Sequence, residues 1–143
     1  MTQIRLADDV LGRIRAREAR YDERAYLFVL ASIEFLQARL PSRRHVTGQE
    51  LAHALRDYAR REFGLLAPAV LRHWGITETL DIGRIVFTLV DVGLLITQPG
   101  DSIEDFAGAY DFASAFDDWS YVWEGLRPTG GGQRGDARRR EVQ

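Results

Sequence analysis

The residues best suited to bind a ligand form a short basic run just before a predicted helix. Arg43, Arg44 and His45 precede Thr47, whose hydroxyl is expected to accept a free backbone N–H at the start of that helix. The side-chain charges add to the positive end of the helix dipole, and sites of this kind attract anions. The sequence therefore predicts an anion-binding or partner-binding site at this helix start.

The same helix extends the basic surface. Arg56 and Arg60 lie one turn apart on the face opposite Leu51 and Leu55, and like charges at this spacing repel each other. A nearby negative group would relieve the repulsion. It could belong to an acidic part of this chain, a second copy of it, an RNA or an acidic protein. The alternative interpretation is an ordinary solvated helix face, which is the commoner meaning of clustered surface charges.

A second candidate surface is acidic. Asp101, Glu104 and Asp105 follow a Pro-Gly turn, between segments 94–98 and 106–112 that have the character of two short β-strands. These carboxylates would repel nucleic-acid phosphates. The predicted acidic hairpin therefore favours a protein partner.

Charge is distributed unevenly along the 143 residues. Residues 1–75 hold 13 Arg and 9 acidic side chains, residues 76–126 hold one Arg and 10 acidic side chains, and residues 127–143 hold five Arg and two. The overall net charge of −2 conceals this division. Such an asymmetry is informative about association with partners but not about the fold.

Several classes of chemistry are excluded or disfavoured by composition. The chain has no cysteine, so disulfides, thiolate zinc sites and cysteine nucleophiles are excluded. It has no lysine either, which excludes Schiff-base chemistry. His53 and Asp57 could share a helix face, but the sequence offers them no third metal ligand. We predict no catalytic residues, no metal and no cofactor.

Apolar residues at helical spacing predict helices over about 8–19, 23–40, 48–63, 68–74 and 80–92, with a further turn at 113–116. The second helix is apolar nearly all round, which is typical of a central core helix. The 80–92 helix is expected to present Asp81, Arg84, Thr88 and Asp91 to solvent. Helices followed by a hairpin predict a mainly α, winged helix-turn-helix-like domain with a small C-terminal β-hairpin over residues 1–126.

The end of the chain differs in composition. Residues 127–143 are rich in Arg and Gly and are predicted to form a disordered tail. Before them, Trp119, Tyr121 and Trp123 alternate with other residues. They are interpreted either as a last strand packed on the core or as an exposed aromatic patch.

Several motifs resemble those of a small, uncharacterised bacterial protein family. They are the stretch YDERAYLFVL at 21–30, RRHVTGQEL at 43–51, HWGI at 73–76, and the pair Asp105-Phe106 followed by Tyr110-Asp111-Phe112. The resemblance covers roughly residues 5–118. It implies a single domain and assigns no activity, cofactor or catalytic residue.

The N-terminus has no signal-peptide pattern, and the longest apolar run, 85–96, is interrupted by Asp91 and too short to cross a bilayer. We therefore expect a cytoplasmic protein without a membrane partner. The favoured function is a non-enzymatic protein-interaction or regulatory module that binds a protein partner or self-associates. The alternative is a nucleic-acid-binding protein that uses the basic helix face, Arg43, Arg44, Arg56 and Arg60, together with the arginines at 138–140.

Overall fold

The computed structural model describes residues 8–117, whose secondary structure is helical. The helices are α1 (Asp8–Arg17), α2 (Glu23–Ala38), α3 (Gly48–Phe63), α4 (Ala67–His73), α5 (Thr79–Asp91) and α6 (Phe112–Asp117). Short 3₁₀ turns occur at Gly64–Leu66 and Ile103–Phe106. The predicted mainly α fold is confirmed.

Local capping signals fix the limits of the main helices. The Thr47 hydroxyl accepts the Glu50 N–H at 3.1 Å, and the Glu50 carboxylate accepts the Thr47 N–H at 2.9 Å. This reciprocal capping box was predicted and is confirmed. At the other end of α3, Gly64 adopts a φ of 53°, which a residue with a Cβ rarely takes.

Helices α2, α3 and α5 enclose the core. Their fully buried side chains include Val29 on α2, Leu55 on α3 and Ile85 on α5. Leu71 on α4 and Ile76, just after it, complete the same apolar cluster. Burial of these side chains supplies the main driving force for the fold.

The exposure predicted for α5 is wrong at two positions. Asp81 and Thr88 were expected to face solvent, but they are only 3% and 7% exposed. Arg84 is half-buried, and Asp91 alone of the four is exposed. Of the four α5 side chains predicted to face solvent, only the one at the C-terminal end of the helix is therefore exposed.

No β-strand is found among residues 8–117, so the predicted hairpin is unconfirmed. Side chains hold this region in turns instead, since Asp101 accepts the Gln98 N–H at 2.8 Å and Asp105 accepts the Ser102 N–H at 2.9 Å. Local bonds of this kind compete with strand pairing. Phe106 is buried and anchors the loop to the core. The winged helix-turn-helix assignment remains a prediction.

Some predictions concern other parts of the chain. Trp119, Tyr121, Trp123 and the tail 127–143 lie outside residues 8–117, as do both ends of the predicted domain 1–126. Within the part of the chain that is described, none of the helices combines the length and the apolar composition needed to cross a bilayer.

Candidate partner-binding groove

The basic run before α3 is paired with carboxylates of the same chain. Arg43 donates two hydrogen bonds to Glu34, at 3.1 and 3.2 Å, and Arg44 donates two to Glu50, at 3.1 and 2.8 Å. The Arg44 guanidinium, with the Thr47 backbone N–H, lowers the pKa of Glu50 to about 2. The predicted anion site at the helix start is therefore already neutralised by this chain's own acids.

The two arginines expected to repel each other also have partners. Arg56 donates to Asp57 at 3.0 Å, and its guanidinium carbon lies 5.7 Å from the centre of the Tyr110 ring. Arg60 donates to the backbone carbonyl of Ala115 in α6. This face of α3 therefore serves to hold the 110–117 segment.

The predicted basic and acidic surfaces meet instead of lying apart. His45 Nε2 lies 3.3 Å from a carboxylate oxygen of Asp101, and the Gln49 amide donates to the Asp105 carbonyl at 2.8 Å. Glu104, the third carboxylate of the predicted acidic hairpin, is exposed. An acidic part of this chain was one of the partners considered for Arg56 and Arg60, but the contacts of the acidic segment 101–105 are with His45 and Gln49 instead.

A cavity of about 170 Å³ lies where the two surfaces meet. We call it the α3 cavity. Its lining is mixed: Ile33, Val86 and Leu95 are among the apolar residues, and His45 and Asp101 are among the polar ones. It is smaller than the usual range of about 300–1,000 Å³ for small-molecule sites, which limits it to a small ligand.

A larger groove, of about 1020 Å³, runs along the outer face of α2. We call it the α2 groove. Its apolar floor and charged rim are formed by Leu30, Ala31, Ile33, Glu34, Phe35, Ala38, Arg39, Arg43, Tyr58, Arg61, Leu94 and Leu95. The groove was not predicted from the sequence, which indicated instead that α2 is the central core helix.

The composition of α2 explains why that prediction was only half right. The helix is apolar nearly all round, but its buried residues are confined to Ala25, Tyr26, Phe28, Val29 and Ser32. Leu30, Ile33 and Phe35 are only half-buried. A helix that is apolar nearly all round was thus the available signal, and the structure shows that its outer face forms the floor of the groove.

Arginines hold positive charge over this floor. The guanidinium carbons of Arg39 and Arg61 lie 4.9 and 5.7 Å from the centre of the Phe35 ring. The same ring packs against Tyr58 with a centroid distance of 5.0 Å. Cations placed on aromatic faces are favoured electrostatically, so the groove combines an aromatic floor with a rim of arginines. Arg39 and Arg61 also lie within 4 Å of carboxylate oxygens of Asp57 and Glu62.

The segment after α5 extends the apolar surface. Leu94, in the groove, is 39% exposed, and Ile96, which lines the α3 cavity, is 92% exposed. Ile33 and Leu95 line both the groove and the cavity. Contiguous exposed apolar surface with a polar edge is typical of interaction sites.

A buried carboxylate, Asp81, is the other group that could perform chemistry. One of its oxygens accepts hydrogen bonds from the Tyr21 hydroxyl and from Arg84, the latter at 2.7 Å. The other oxygen accepts the backbone N–H groups of Thr77 and Glu78, at 2.9 and 3.2 Å. Both oxygens are thus occupied by this chain, so the cluster serves to join segments.

No group of three or more His, Cys, Asp or Glu side chains within residues 8–117 could hold a metal ion.

No protein-family model matches the chain, and neither a curated protein nor a solved structure shows significant similarity to it. The groove and its charges are therefore the features that bear on function.

Proposed function

We propose that this protein is a non-enzymatic protein-interaction module and that the α2 groove is its binding surface. The observation that carries the proposal is the half-exposed apolar floor of α2, bordered by Leu94 and continued by the exposed Ile96. Covering this surface with apolar side chains of a partner would gain roughly 25 cal/mol for each Å² removed from water. A bound partner would cover the apolar side chains of the groove that the described part of the chain leaves partly exposed.

The rim of the groove indicates the kind of partner. Arg39, Arg43 and Arg61 border it, against a single acid, Glu34. Glu34 pairs with Arg43, and Arg39 and Arg61 lie 3.9 and 3.7 Å from carboxylate oxygens of Asp57 and Glu62. An acidic and apolar partner would exchange these long, exposed ion pairs for its own carboxylates. Charge complementarity of this kind contributes mainly to specificity and to the rate of association.

The nucleic-acid alternative has less support from the same contacts. Arg43 and Arg44 pair with carboxylates, and Arg56 pairs with Asp57. Moving such arginines onto phosphates would first require these pairs to break. A winged-helix mode of DNA binding also lacks the two strands of a wing within residues 8–117.

A selection from a random peptide-display library, with the full chain as bait, tests the proposal. We expect the enriched peptides to be acidic and aromatic. The double substitution Arg39→Glu and Arg61→Glu should abolish their binding, because it reverses the charge of the rim beside Phe35.

The matched control is Arg13→Glu with Arg72→Glu. It makes the same change of charge at two exposed arginines, on α1 and α4, that do not line the groove. The selected peptides should bind this variant as they bind the wild type. Peptides that bind the two double variants equally well, or a selection that enriches nothing, would refute the proposed function.

A further inference from the structure

We propose that the α3 cavity binds a small primary amine, with the apolar body of the ligand inside the cavity and its ammonium group at Asp101 and Asp105. The cavity and the α2 groove share the apolar residues Ile33 and Leu95 but none of their polar residues. The polar end of the ligand would therefore be recognised by residues that take no part in the proposed protein-binding surface.

The size of the cavity limits the size of the ligand. Its volume is about 170 Å³, and a cavity of about 150 Å³ in a protein is enough to admit benzene. One six-membered ring with a short side chain, or an alkyl chain of about six carbons, would fill such a space. A nucleotide would not fit inside it.

Apolar side chains form the part of the lining that would hold the body of the ligand. Leu51 on α3 and Phe106 in the loop after α5 are only 3% and 4% exposed. Val86 on α5 and Ile33 on α2 line the same space. Apolar surface that leaves water on entering such a site favours binding. This lining therefore selects a ligand with an apolar ring or chain.

Several polar residues of the lining are already engaged within the chain. Arg44 donates two hydrogen bonds to Glu50, and the Gln37 amide makes two with the Arg44 backbone. The Thr47 hydroxyl accepts the Glu50 N–H. A carboxylate ligand would therefore have to compete with Glu50 for Arg44.

The two carboxylates of the lining retain capacity to accept hydrogen bonds. The Gln98 N–H donates to Oδ2 of Asp101 at 2.8 Å, and His45 Nε2 lies 3.3 Å from the same oxygen. The Ser102 N–H donates to Oδ2 of Asp105 at 2.9 Å. An ionised carboxylate offers about four acceptor sites on its two oxygens. Each side chain can therefore hold its own loop in place and still accept a donor from a ligand.

The charge of the lining favours a cation. Arg44 and Glu50 neutralise each other, and the other charged or titratable residues of the lining are His45, Asp101 and Asp105. Their combined charge is negative even with His45 protonated. An ammonium group carries the opposite charge and donates three hydrogen bonds, whereas a carboxylate or a phosphate would be repelled. The cavity thus matches an apolar molecule that ends in a primary amine.

Three probes of one size test the proposal, because benzylamine, benzyl alcohol and benzoate differ only in the polar end. NMR titration of the full chain at pH 7 measures the dissociation constant of each probe and the amide resonances that shift. We expect benzylamine to bind about tenfold more tightly than benzyl alcohol, since hydrogen bonds between charged groups are the stronger ones. Benzoate should bind more weakly than either, and the shifts should centre on residues that line the cavity.

Charge removal tests the role of the two carboxylates. The double substitution Asp101→Asn and Asp105→Asn keeps oxygens that can accept the Gln98 and Ser102 N–H groups. It should weaken benzylamine about tenfold, to the affinity of benzyl alcohol, and leave benzyl alcohol unchanged. The matched control is Asp91→Asn with Glu104→Gln, which neutralises two exposed acids outside the lining. Both probes should bind this control as they bind the wild type.

A larger side chain in the lining separates binding inside the cavity from attraction to surface carboxylates. Val46 is half-buried and lines the cavity, so Val46→Phe should weaken benzylamine and benzyl alcohol alike, several-fold. Its control is Val10→Phe, at a half-buried valine of α1 outside the lining, and circular dichroism checks that both variants fold.

Three results would overturn the proposal. The first is a failure of benzylamine to bind, or binding no tighter than that of benzoate. The second is benzylamine binding that the Asp101 and Asp105 substitutions weaken no more than their control does. The third is binding that Val46→Phe leaves unchanged in a folded protein, which would place the amine on the acidic surface and not in the cavity.

Discussion

The Asp81 carboxylate joins three separate parts of the chain. It contacts Tyr21 before α2, Thr77 between α4 and α5, and Arg84 within α5. Burial raises the pKa of Asp81, but the hydrogen bonds from Tyr21, from the Thr77 backbone and from Arg84 outweigh burial and lower the pKa overall. The ionised form is therefore the one that the fold stabilises.

We expect Asp81→Asn to lower the free energy of unfolding at pH 7 by about 3 kcal/mol, the lower end of the usual cost of breaking a buried charged pair. Because the folded-state pKa of Asp81 is lowered, this stabilisation is present above the ordinary pKa of about 3.9 and is lost as the pH falls through the folded-state value. Urea unfolding should therefore show a smaller difference in stability between the two proteins at pH 3 than at pH 7.

The matched control is Asp91→Asn on the same helix. Asp91 pairs with Arg17 at 3.3 Å, and both side chains are about half exposed. A pair of this kind contributes about 0–1 kcal/mol. Equal losses for the two variants, or a difference between wild type and Asp81→Asn that is as large at pH 3 as at pH 7, would show that the Asp81 contacts do not stabilise the fold as argued.

The sequence could not reveal this cluster because Tyr21 and Asp81 are 60 residues apart. Helical spacing correctly groups Asp81, Arg84 and Thr88 on one face of α5. It does not show which neighbouring segment covers that face. The same limit applies to the groove, since the pattern of α2 is equally compatible with a face covered by the core and a face left for a partner.

At the scale of elements, the sequence predicted correctly those features that depend on a few neighbouring residues. The Thr47 capping box, the end of α3 before Gly64 and the positive φ of 86° at Gly93 were all legible in the sequence. The loop after α5 was not, since its conformation depends on contacts with distant helices. Phe106 packs against Gly83 of α5 and Gly48 of α3, and no local pattern encodes those contacts.

The packing of this loop on α5 predicts a large effect of a small substitution. A Cβ at Gly83 would lie 2.7 Å from Phe106 Cδ1 and 3.0 Å from the Ile103 carbonyl. We expect Gly83→Ala to destabilise the protein by about 1–3 kcal/mol, as overpacking of a core contact usually does. Chemical denaturation followed by circular dichroism measures the change.

Gly12→Ala on α1 is the control for helix propensity. A Cβ at Gly12 would meet no atom within 4 Å, so the more favourable helix propensity of alanine should stabilise the protein by up to about 1 kcal/mol. Opposite signs for the two substitutions are the expected result. A Gly83→Ala variant at least as stable as the wild type would disprove close packing of the loop on α5.

At the scale of the whole molecule, the division of charge is partly satisfied within the chain. Arg17 of the basic part pairs with Asp91 of the acidic part, and His45 faces Asp101. The uneven distribution read from the sequence thus contributes to internal contacts as well as to surfaces. The sequence left open whether the acidic part of the chain, a second copy or another molecule would meet the basic part, and it did not identify the residues in contact.

Arg43 pairs with Glu34 and Arg56 pairs with Asp57, and these two pairs lead to an expectation about binding of nucleic acids. The double substitution Arg43→Glu and Arg56→Glu should leave any affinity for labelled RNA or duplex DNA unchanged, whereas removal of residues 127–143 should abolish it. Fluorescence anisotropy at about 50 and about 200 mM salt measures both, since 6–10 phosphate contacts would cost ~10³–10⁵ in affinity over that range. Salt-sensitive binding that disappears on reversal of Arg43 and Arg56 would favour the nucleic-acid alternative.

The shared wall between the groove and the α3 cavity has a thermodynamic consequence. Because Ile33 and Leu95 line both, an occupant that shifts either side chain in one space reshapes the other. The binding free energies of the two spaces are then coupled, and linkage requires the coupling to be equal in both directions. A small molecule that fills the cavity would thereby alter the affinity of the groove for its partner, and the partner would alter the affinity of the cavity by the same factor.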